Sequence, residues 1–124
     1  MIIGIGTDII EVERIRKHIE AGFGFRDKVF TAQEIAYCES KTNKAQNYAA
    51  RFSAKEAFLK AVGTGLRHGL AFTDIEVVND ELGKPEMVLH GKAQEIIMKM
   101  GASGIQISMT HLRDWVNAIV IIEK

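Results

Sequence analysis

The sequence predicts an α+β fold in which a largely antiparallel sheet packs with helices. Two pairs of β-rich segments are separated by short polar turns, which is typical of antiparallel hairpins. The segments around them carry apolar residues at helical spacing. No repeat or linker interrupts the 124 residues and Pro85 is the only proline, so residues 1–124 are predicted to form a single domain.

The first half of the chain is predicted to hold one strand followed by helices. Residues 2–10 are apolar and β-rich, as in a buried first strand. Apolar residues then recur at spacings of three and four over residues 11–20, which predicts an amphipathic helix. Thr31 and Glu34 have the spacing of a capping box and predict the start of a helix. A longer helix is predicted over residues 45–62.

The second half is predicted to hold two hairpins with a helix between them. The predicted strands are residues 72–78, 86–89, 105–110 and 115–122. Turn residues separate the two members of each pair, at 79–85 and at 111–114. Apolar residues at helical spacing between 93 and 100 predict the intervening helix, which Gly101 closes.

The composition limits the classes of function. Sixteen Lys and Arg residues balance sixteen Asp and Glu residues, so the zero net charge argues against broad nonspecific binding to nucleic acid or to an anionic membrane. The apolar N-terminus is short and runs into Asp8, so neither a signal peptide nor a membrane span is predicted. The one cysteine, Cys38, is expected to be a small buried side chain, and its lack of a disulfide partner favours a cytoplasmic location.

The long predicted helix carries the strongest candidates for chemistry. At 100° per residue, one face is small and polar and is expected to let a ligand approach; it holds Ala49, Ser53, Glu56, Ala57 and Lys60. Glu56 and Lys60 stand at i and i+4, so their charges project side by side. On spacing alone, an ordinary helix ion pair remains the alternative.

Asp8 and Glu56 together can hold a hard divalent cation while Lys60 meets a phosphate. Mg²⁺ takes one or two protein carboxylates and completes its shell with water and substrate phosphate oxygens. As the alternative, Asp8 caps the next helix or closes a turn. Gly63 and Gly65 can bring backbone amides near an anion, although glycines after a helix commonly form its C-cap.

The histidines offer one candidate contact. His111 follows an alternating strand and is a candidate for a phosphate or ribose contact, with a solvated turn histidine as the alternative. His18, His68 and His90 have no spacing that forms a zinc site, so no structural metal cluster is expected.

Four segments, in their order and separation, resemble a known family across nearly the whole chain. They are Gly4 to Glu11 (GIGTDIIE), Phe30 to Cys38 (FTAQEIAYC), Arg51 to Ala61 (RFSAKEAFLKA) and Leu82 to Pro85 (LGKP). Together they resemble the holo-(acyl-carrier-protein) synthases, the small bacterial type of the 4'-phosphopantetheinyl transferase superfamily. The first and third segments are specific in combination. One departure is Thr110-His111, where close relatives commonly have Ser-His; the hydroxyl is retained.

The resemblance implies the 4'-phosphopantetheinyl transferase fold and a Mg²⁺-dependent reaction. The enzyme is expected to transfer 4'-phosphopantetheine from coenzyme A to a serine of apo acyl carrier protein in fatty acid biosynthesis, leaving 3',5'-ADP. Asp8 and Glu56 are implied to bind Mg²⁺ at the coenzyme A pyrophosphate, and Lys60 to neutralise charge there. The further coenzyme A contacts are assigned to Lys60, Gly63, Gly65, His111 and Arg51.

The resemblance also implies a homotrimer with coenzyme A at each subunit interface. The basic first helix, here with Arg14, is implied to dock on the acidic recognition helix of the carrier protein. In the expected reaction, the serine hydroxyl attacks the β-phosphorus of coenzyme A, and Glu56 accepts the proton directly or through water. Lys60 adds positive charge beside the developing negative charge.

Two other readings of the same residues stay open at this point. The first is a coenzyme A or nucleotide binding module without transferase activity. The second is a trimeric assembly domain whose ion pairs are only structural. Sequence-specific DNA binding is the least expected function, because the net charge is zero and no recognition helix is evident.

Overall fold

The computed structural model describes residues 1–124 and confirms the predicted α+β class. The strands are β1 (Ile2–Glu11), β2 (Ile75–Asn79), β3 (Pro85–Leu89), β4 (Gly104–His111) and β5 (Trp115–Glu123). The helices are α1 (Val12–Ala21), α2 (Phe25–Val29), α3 (Ala32–Glu39), α4 (Lys44–Val62) and α5 (Gly91–Met100). Both predicted hairpins form, and they belong to two antiparallel sheets, β1-β5-β4 and β2-β3. No helix combines the length and the apolar character that a membrane crossing requires.

The helix α4 is the central element of the fold. One hydrophobic cluster joins it to β5, β2 and α5, and includes Phe58 and Ile122. A second cluster joins its first half to α1 and α3, where the rings of Tyr48 and Phe30 lie 4.9 Å apart. Because α4 is packed on nearly every side, its side chains that still reach solvent are held by a rigid scaffold.

The glycines of β1 let this strand lie directly on the backbone of α4. A Cβ added at Gly6 would stand 1.9 Å from the Ala57 carbonyl oxygen, and one at Gly4 would stand 2.6 Å from that of Ala61. The expectation that the small face of α4 is open to a ligand is therefore wrong around Ala57, because β1 covers it. On that face only Glu56 and Lys60 keep access to solvent.

The capping box predicted at Thr31 is confirmed. The Glu34 amide donates to Thr31 Oγ1 at 3.2 Å, and the Thr31 amide donates to Glu34 Oε1 at 3.0 Å. Cys38, near the end of the same helix, is fully buried as predicted, and burial raises the pKa of its thiol to about 12. The thiol is therefore not a nucleophile near neutral pH.

The predicted strand over residues 72–78 is wrong at its start. Residues Phe72–Asp74 form a single 3-10 turn, and β2 begins at Ile75. The turn forms because the Asp74 carboxylate accepts from the Ala71 amide at 3.0 Å, which closes the chain on itself. Phe72 is half-buried and packs against both hydrophobic clusters, so an aromatic residue is favoured here without an extended backbone. The five-residue helix α2 was not predicted, since it is too short to show a helical period.

Candidate active site

Asp8 lies inside β1 with its side chain turned toward α4. Its carboxylate is 15% exposed, and Asp8 Oδ2 accepts from Ser53 Oγ at 2.9 Å. Glu11, and not Asp8, stands at the N-cap of α1, where it makes no side-chain capping bond. The alternative that Asp8 caps the helix after the strand is therefore wrong, and the carboxylate belongs to a polar cluster between β1 and α4.

Lys60 pairs with Asp8 across the strand–helix interface. Its ammonium donates to Asp8 Oδ1 at 3.2 Å and to the Thr7 carbonyl oxygen at 3.0 Å, while 56% of the side chain stays exposed. The helix ion pair with Glu56 that the spacing offered as an alternative is absent. The close packing of β1 on α4 brings the strand backbone within reach of the Lys60 ammonium. This explains why Lys60 pairs with Asp8 and not with Glu56.

Glu56 stands half-buried one helical turn before Lys60. Burial, reinforced by the negative charge of Asp8, raises the pKa of Glu56 above its ordinary value of 4.5, while Lys60 and Arg14 oppose that rise. The charge of Asp8 thus disfavours the ionised form of Glu56.

One cleft contains this pair of carboxylates. It has a volume of about 280 Å³ between β1, α1, α2 and α4. Its charged and polar lining is Asp8, Glu56, Arg14 and His18, and its apolar lining is Ile9, Ile10, Ile15, Phe25 and Phe52. An acidic end beside an apolar wall suits a ligand that carries a charged group at one end and an uncharged chain beyond it.

The carboxylates fit the demands of a magnesium ion. No group of three or more His, Cys, Asp or Glu side chains is placed to hold a metal by protein ligands alone. Two carboxylates are the protein share that Mg²⁺ uses when substrate phosphates and water supply the rest. Burial and, after it, the charge of Asp8 raise the pKa of Glu56, and a divalent cation held by these residues would offset the repulsion between the two carboxylates.

The glycine segment continues from the Lys60 end of α4. Gly63 is the C-cap, with φ +81°, and its amide donates to the Leu59 carbonyl at 3.0 Å. The C-cap interpretation is confirmed. The amides of Thr64 and Gly65 make no backbone hydrogen bond, and added Cβ atoms at Gly63 and Gly65 would meet nothing within 4 Å. The segment therefore keeps free donors and open space near the site.

His111 lies apart from the carboxylates within one chain. It is exposed and ends β4, so it does not start a turn as predicted. The register places Met109 two strands away from Asp8, through Ala118, with His111 two residues further along. The separation of His111 from Asp8 is roughly 12 Å at standard strand spacings. One chain alone does not bring His111 to the cleft.

Arg51 also lies away from Asp8 and Glu56. The side chain is buried, its guanidinium stacks 4.0 Å from the Tyr37 ring centroid, and its Nη2 donates to Asn79 Oδ1 at 2.5 Å. It does not line the cleft with Glu56. Its Nε is buried without a hydrogen-bond partner, which is an unusual cost for a guanidinium. The predicted contact of Arg51 with coenzyme A stays a prediction.

Two residues of the site were missed in the sequence. Ser53 was assigned to the correct face of α4 but to no role, and it anchors the Asp8 carboxylate. Asn117 donates to the Asp8 carbonyl oxygen at 2.9 Å and to Thr7 Oγ1 at 3.2 Å. A signal existed for Asn117, because it is the lone polar residue in the apolar run of residues 115–122.

A larger cleft, of about 600 Å³, lies beside the same helix α1 but does not contain the coupled carboxylates. Its charged lining balances three cations against three carboxylates: Arg16, Lys44, Arg113, Glu20, Glu39 and Asp114. Lys44 and Glu39 already pair at 3.2 Å. With its charges matched internally, this cleft offers no converging set of one sign, and the smaller one is the better candidate for chemistry.

Comparison with known proteins decides the family. Residues 4–120 match the family model described as the 4'-phosphopantetheinyl transferase superfamily. This chain belongs to that superfamily. A holo-[acyl-carrier-protein] synthase of Ruminiclostridium cellulolyticum is 52% identical over 120 residues, which are 95% of this chain and 90% of the relative. The resemblance stated from the four sequence segments is thereby confirmed.

Solved structures of the superfamily agree with this placement. The holo-[acyl-carrier-protein] synthase of Neisseria meningitidis superposes with a TM-score of 0.89 at 40% identity and covers all of both chains. That of Bacillus anthracis, solved in complex with coenzyme A (3',5'-ADP), has a TM-score of 0.81 at 35% identity and covers 100% of this chain and 98% of its own. The 4'-phosphopantetheinyl transferase fold that the resemblance implied is confirmed.

Proposed function

We propose that this chain transfers 4'-phosphopantetheine from coenzyme A to a serine of apo acyl carrier protein, in the cleft that holds Asp8 and Glu56. The placement of both carboxylates in one cleft carries the proposal, because two negative groups beside a lysine suit a cation and a pyrophosphate together. Within the proposal, the single domain of residues 1–124 acts in the cytoplasm, in fatty acid biosynthesis.

Asp8 and Glu56 would hold Mg²⁺ in this reaction. When bound, the ion supplies positive charge to the pyrophosphate oxygens of coenzyme A. Ser53 and Lys60 fix both oxygens of Asp8, so this carboxylate is held in one orientation. No hydrogen bond within the chain restrains the Glu56 carboxylate, which is therefore free to meet an incoming group.

The chemistry breaks one P–O bond and forms another. The carrier serine Oγ attacks the β-phosphorus of coenzyme A, the bond to the bridging oxygen breaks, and 3',5'-ADP leaves. Glu56 accepts the serine proton, directly or through water, because no hydrogen bond within the chain occupies its carboxylate. Lys60 stays exposed enough to reach the phosphate oxygens while it contacts Asp8. Catalysis of this transfer depends on the positioning of the reactants and on charge stabilisation, so no covalent enzyme intermediate is needed.

Further coenzyme A contacts are proposed beyond Lys60 and at a neighbouring subunit. The unpaired amides of Thr64 and Gly65 are suitable donors to a phosphate, with Gly63 and Gly65 leaving room for it. Neither His111 nor Arg51 lines the cleft of its own chain. They can contact coenzyme A only if the molecule extends beyond the cleft or lies between subunits.

An apolar sheet face supports the proposed homotrimer. Side chains on the side of β1 away from α4 include Ile5 and Ile9, which are 61% and 64% exposed. Trp115 extends this face on β5 and is 45% exposed. Large apolar patches on an open sheet face are typical of subunit interfaces.

Sedimentation equilibrium tests the trimer. We expect three subunits for the wild-type protein and dissociation for the Ile5→Glu variant, with loss of transfer. Met98→Glu on α5 is the matched control, since Met98 is as exposed but lies outside this face. A monomeric wild type that transfers at full rate contradicts the trimer and leaves the cleft assignment standing.

Arg14 is proposed to meet the carrier protein at the mouth of the cleft. It lies on α1, is exposed, makes no ion pair, and is close enough to Glu56 to lower its pKa. An unpaired cation at this position suits an acidic helix of the carrier. The Arg14→Ala variant is expected to raise the KM for the carrier roughly tenfold with little change in kcat, as for a lost intermolecular charge pair. A Lys99→Ala control on α5 should leave both unchanged.

The decisive test of the function is the intact mass of an apo acyl carrier protein after incubation with this chain, coenzyme A and Mg²⁺. We expect a gain of one phosphopantetheine group, abolished by EDTA. Glu56→Gln, which keeps the shape of the side chain, should fold normally and lose transfer. Metal-dependent stabilisation by coenzyme A with several unmodified carriers would favour the binding module, and no response to ligand at all would favour the assembly domain.

A further inference from the structure

A fully buried ion pair stands directly behind the cleft. Lys55 Nζ lies 2.8 Å from Glu34 Oε1, and both side chains are completely inaccessible to solvent. Lys55 is the residue before Glu56 on α4, and Glu34 belongs to the first turn of α3. Neither residue contacts the cleft, so the pair has no direct part in the transfer reaction.

All three donors of Lys55 and both carboxylate oxygens of Glu34 form hydrogen bonds, and these bonds join four segments. Lys55 also donates to the carbonyl oxygen of Phe72 at 2.9 Å and to that of Ile75. Glu34 Oε2 accepts from the Val77 amide at 3.0 Å, while Glu34 Oε1 accepts from the amide at the start of α3. The helix α4 is thereby attached to α3, to the 3-10 turn and to β2 at a single point.

A rotation of α4 about its axis would break the bonds at this attachment point. Lys55 and Glu56 are adjacent, so any rotation that breaks the Lys55 bonds moves the Glu56 carboxylate with it. Phe52, one turn earlier, strengthens the link, because it lines the cleft with Glu56 and its ring lies 5.5 Å from that of Phe72. Phe72 therefore provides both a carbonyl oxygen that accepts from Lys55 and the ring that contacts Phe52.

Stability alone is a weak reason for such a pair. Both charged side chains are completely removed from solvent, so keeping the two charges there is costly. Apolar residues of similar volume commonly match or exceed the stability of a buried ion pair. A directional network, unlike an apolar contact, specifies one orientation of the helix.

We propose that the Lys55–Glu34 pair is a positioning device, which fixes the rotation of α4 and so the direction of the Glu56 carboxylate toward Asp8. The inference rests on the proposed function for its effect on rate. The predicted effect on the direction of the Glu56 side chain does not rest on that function, since this direction is observable in a protein without substrate.

The test compares Lys55→Met, Glu34→Met and the double variant. Each single variant leaves one buried group without its charged partner, so both should be the least stable. The double variant removes both charges and should have a higher Tm than either. If the pair positions Glu56, kcat of the double variant stays at least roughly tenfold below wild type, as expected for a displaced reacting group. An Ile97→Ala variant, in the core of α5 and outside the network, controls for lost stability and should keep wild-type kcat.

A crystal structure of the double variant decides the inference independently of activity. We expect the Glu56 carboxylate to be turned away from Asp8. An unmoved carboxylate overturns the inference whatever the rate, and a wild-type kcat in the double variant overturns it as well. If the wild-type protein modifies no carrier, the proposed function fails, while the position of Glu56 in the crystal still decides whether the pair positions it.

Discussion

The Lys60 ammonium lies 3.2 Å from Asp8 Oδ1 and forms no ion pair with Glu56, its neighbour one turn earlier on the same helix. The two carboxylates of the cleft therefore have different surroundings. Asp8 is held by a cation and by the Ser53 hydroxyl, whereas Glu56 has a raised pKa from burial and from the charge of Asp8. This asymmetry favours Glu56 as the group that moves a proton and Asp8 as the fixed anchor.

Replacing Glu56 by Gln should stabilise the protein at neutral pH when no divalent cation is bound. A group whose folded pKa is raised contributes stability that is complete below its unfolded pKa, about 4.3, and is lost as pH rises through the folded value. Glu56→Gln mimics the protonated form, so its Tm should exceed that of wild type at pH 7 and match it near pH 4. The measurement is Tm against pH in EDTA.

Glu86→Gln is the control for that comparison, because Glu86 is exposed on β3 and makes no ion pair. Its Tm should follow the wild-type curve throughout. A Glu56→Gln variant that is less stable than wild type at pH 7 would contradict the coupling of the two carboxylates.

Mg²⁺ should raise the Tm of the wild-type protein in the presence of coenzyme A. Ligand binding to the folded state at 100 times Kd stabilises by about 2.7 kcal/mol. Asp8→Asn and Glu56→Gln should both lose the metal-dependent part of this increase while they keep a folded baseline. The measurement is a thermal melt titrated with MgCl₂ at constant ionic strength. An undiminished response in both variants would move the metal site elsewhere.

Lys60→Met should lower kcat by roughly 10² to 10³, the range for losing one charge-stabilising donor in an active site. The methionine keeps the length of the side chain and removes the charge that contacts Asp8. Lys60→Arg should retain more activity, because it keeps the charge. Steady-state transfer to a carrier measures both variants, and Lys92→Met on α5 serves as a control. Equal rates for Lys60→Met and wild type would exclude Lys60 from the reaction.

Gly6→Ala should destabilise the protein by about 3 kcal/mol or more, since its methyl group would collide with the backbone of α4. The added Cβ stands 1.9 Å from the Ala57 carbonyl oxygen, and no side-chain motion can relieve that contact. Gly104→Ala is the matched control, because its Cβ has no neighbour closer than 4.0 Å. Urea unfolding of both variants gives the two values, and similar stability of the two would refute the close packing.

Much of the fold was predictable because its signals are local. The capping box at Thr31 and Glu34 involves residues of one helical turn, and the hairpins follow from alternation and turn residues. The 3-10 turn at Phe72–Asp74 was not predictable in this way. Its composition is that of a strand, and its local closure by Asp74 is joined by a hydrogen bond from Lys55, a buried residue seventeen positions before Phe72.

The sequence by itself determined most of the elements, the family and the residue types that can bind a cation and a phosphate. These follow from short-range periodicity and from motifs with a fixed spacing. The tertiary structure alone decided which charges pair. Asp8 and Lys60 are 52 residues apart, and only the absence of side chains at Gly4 and Gly6 lets β1 approach α4 closely enough to join them. Which charged side chains form ion pairs depends on their distances in the folded protein, and a sequence pattern does not contain those distances.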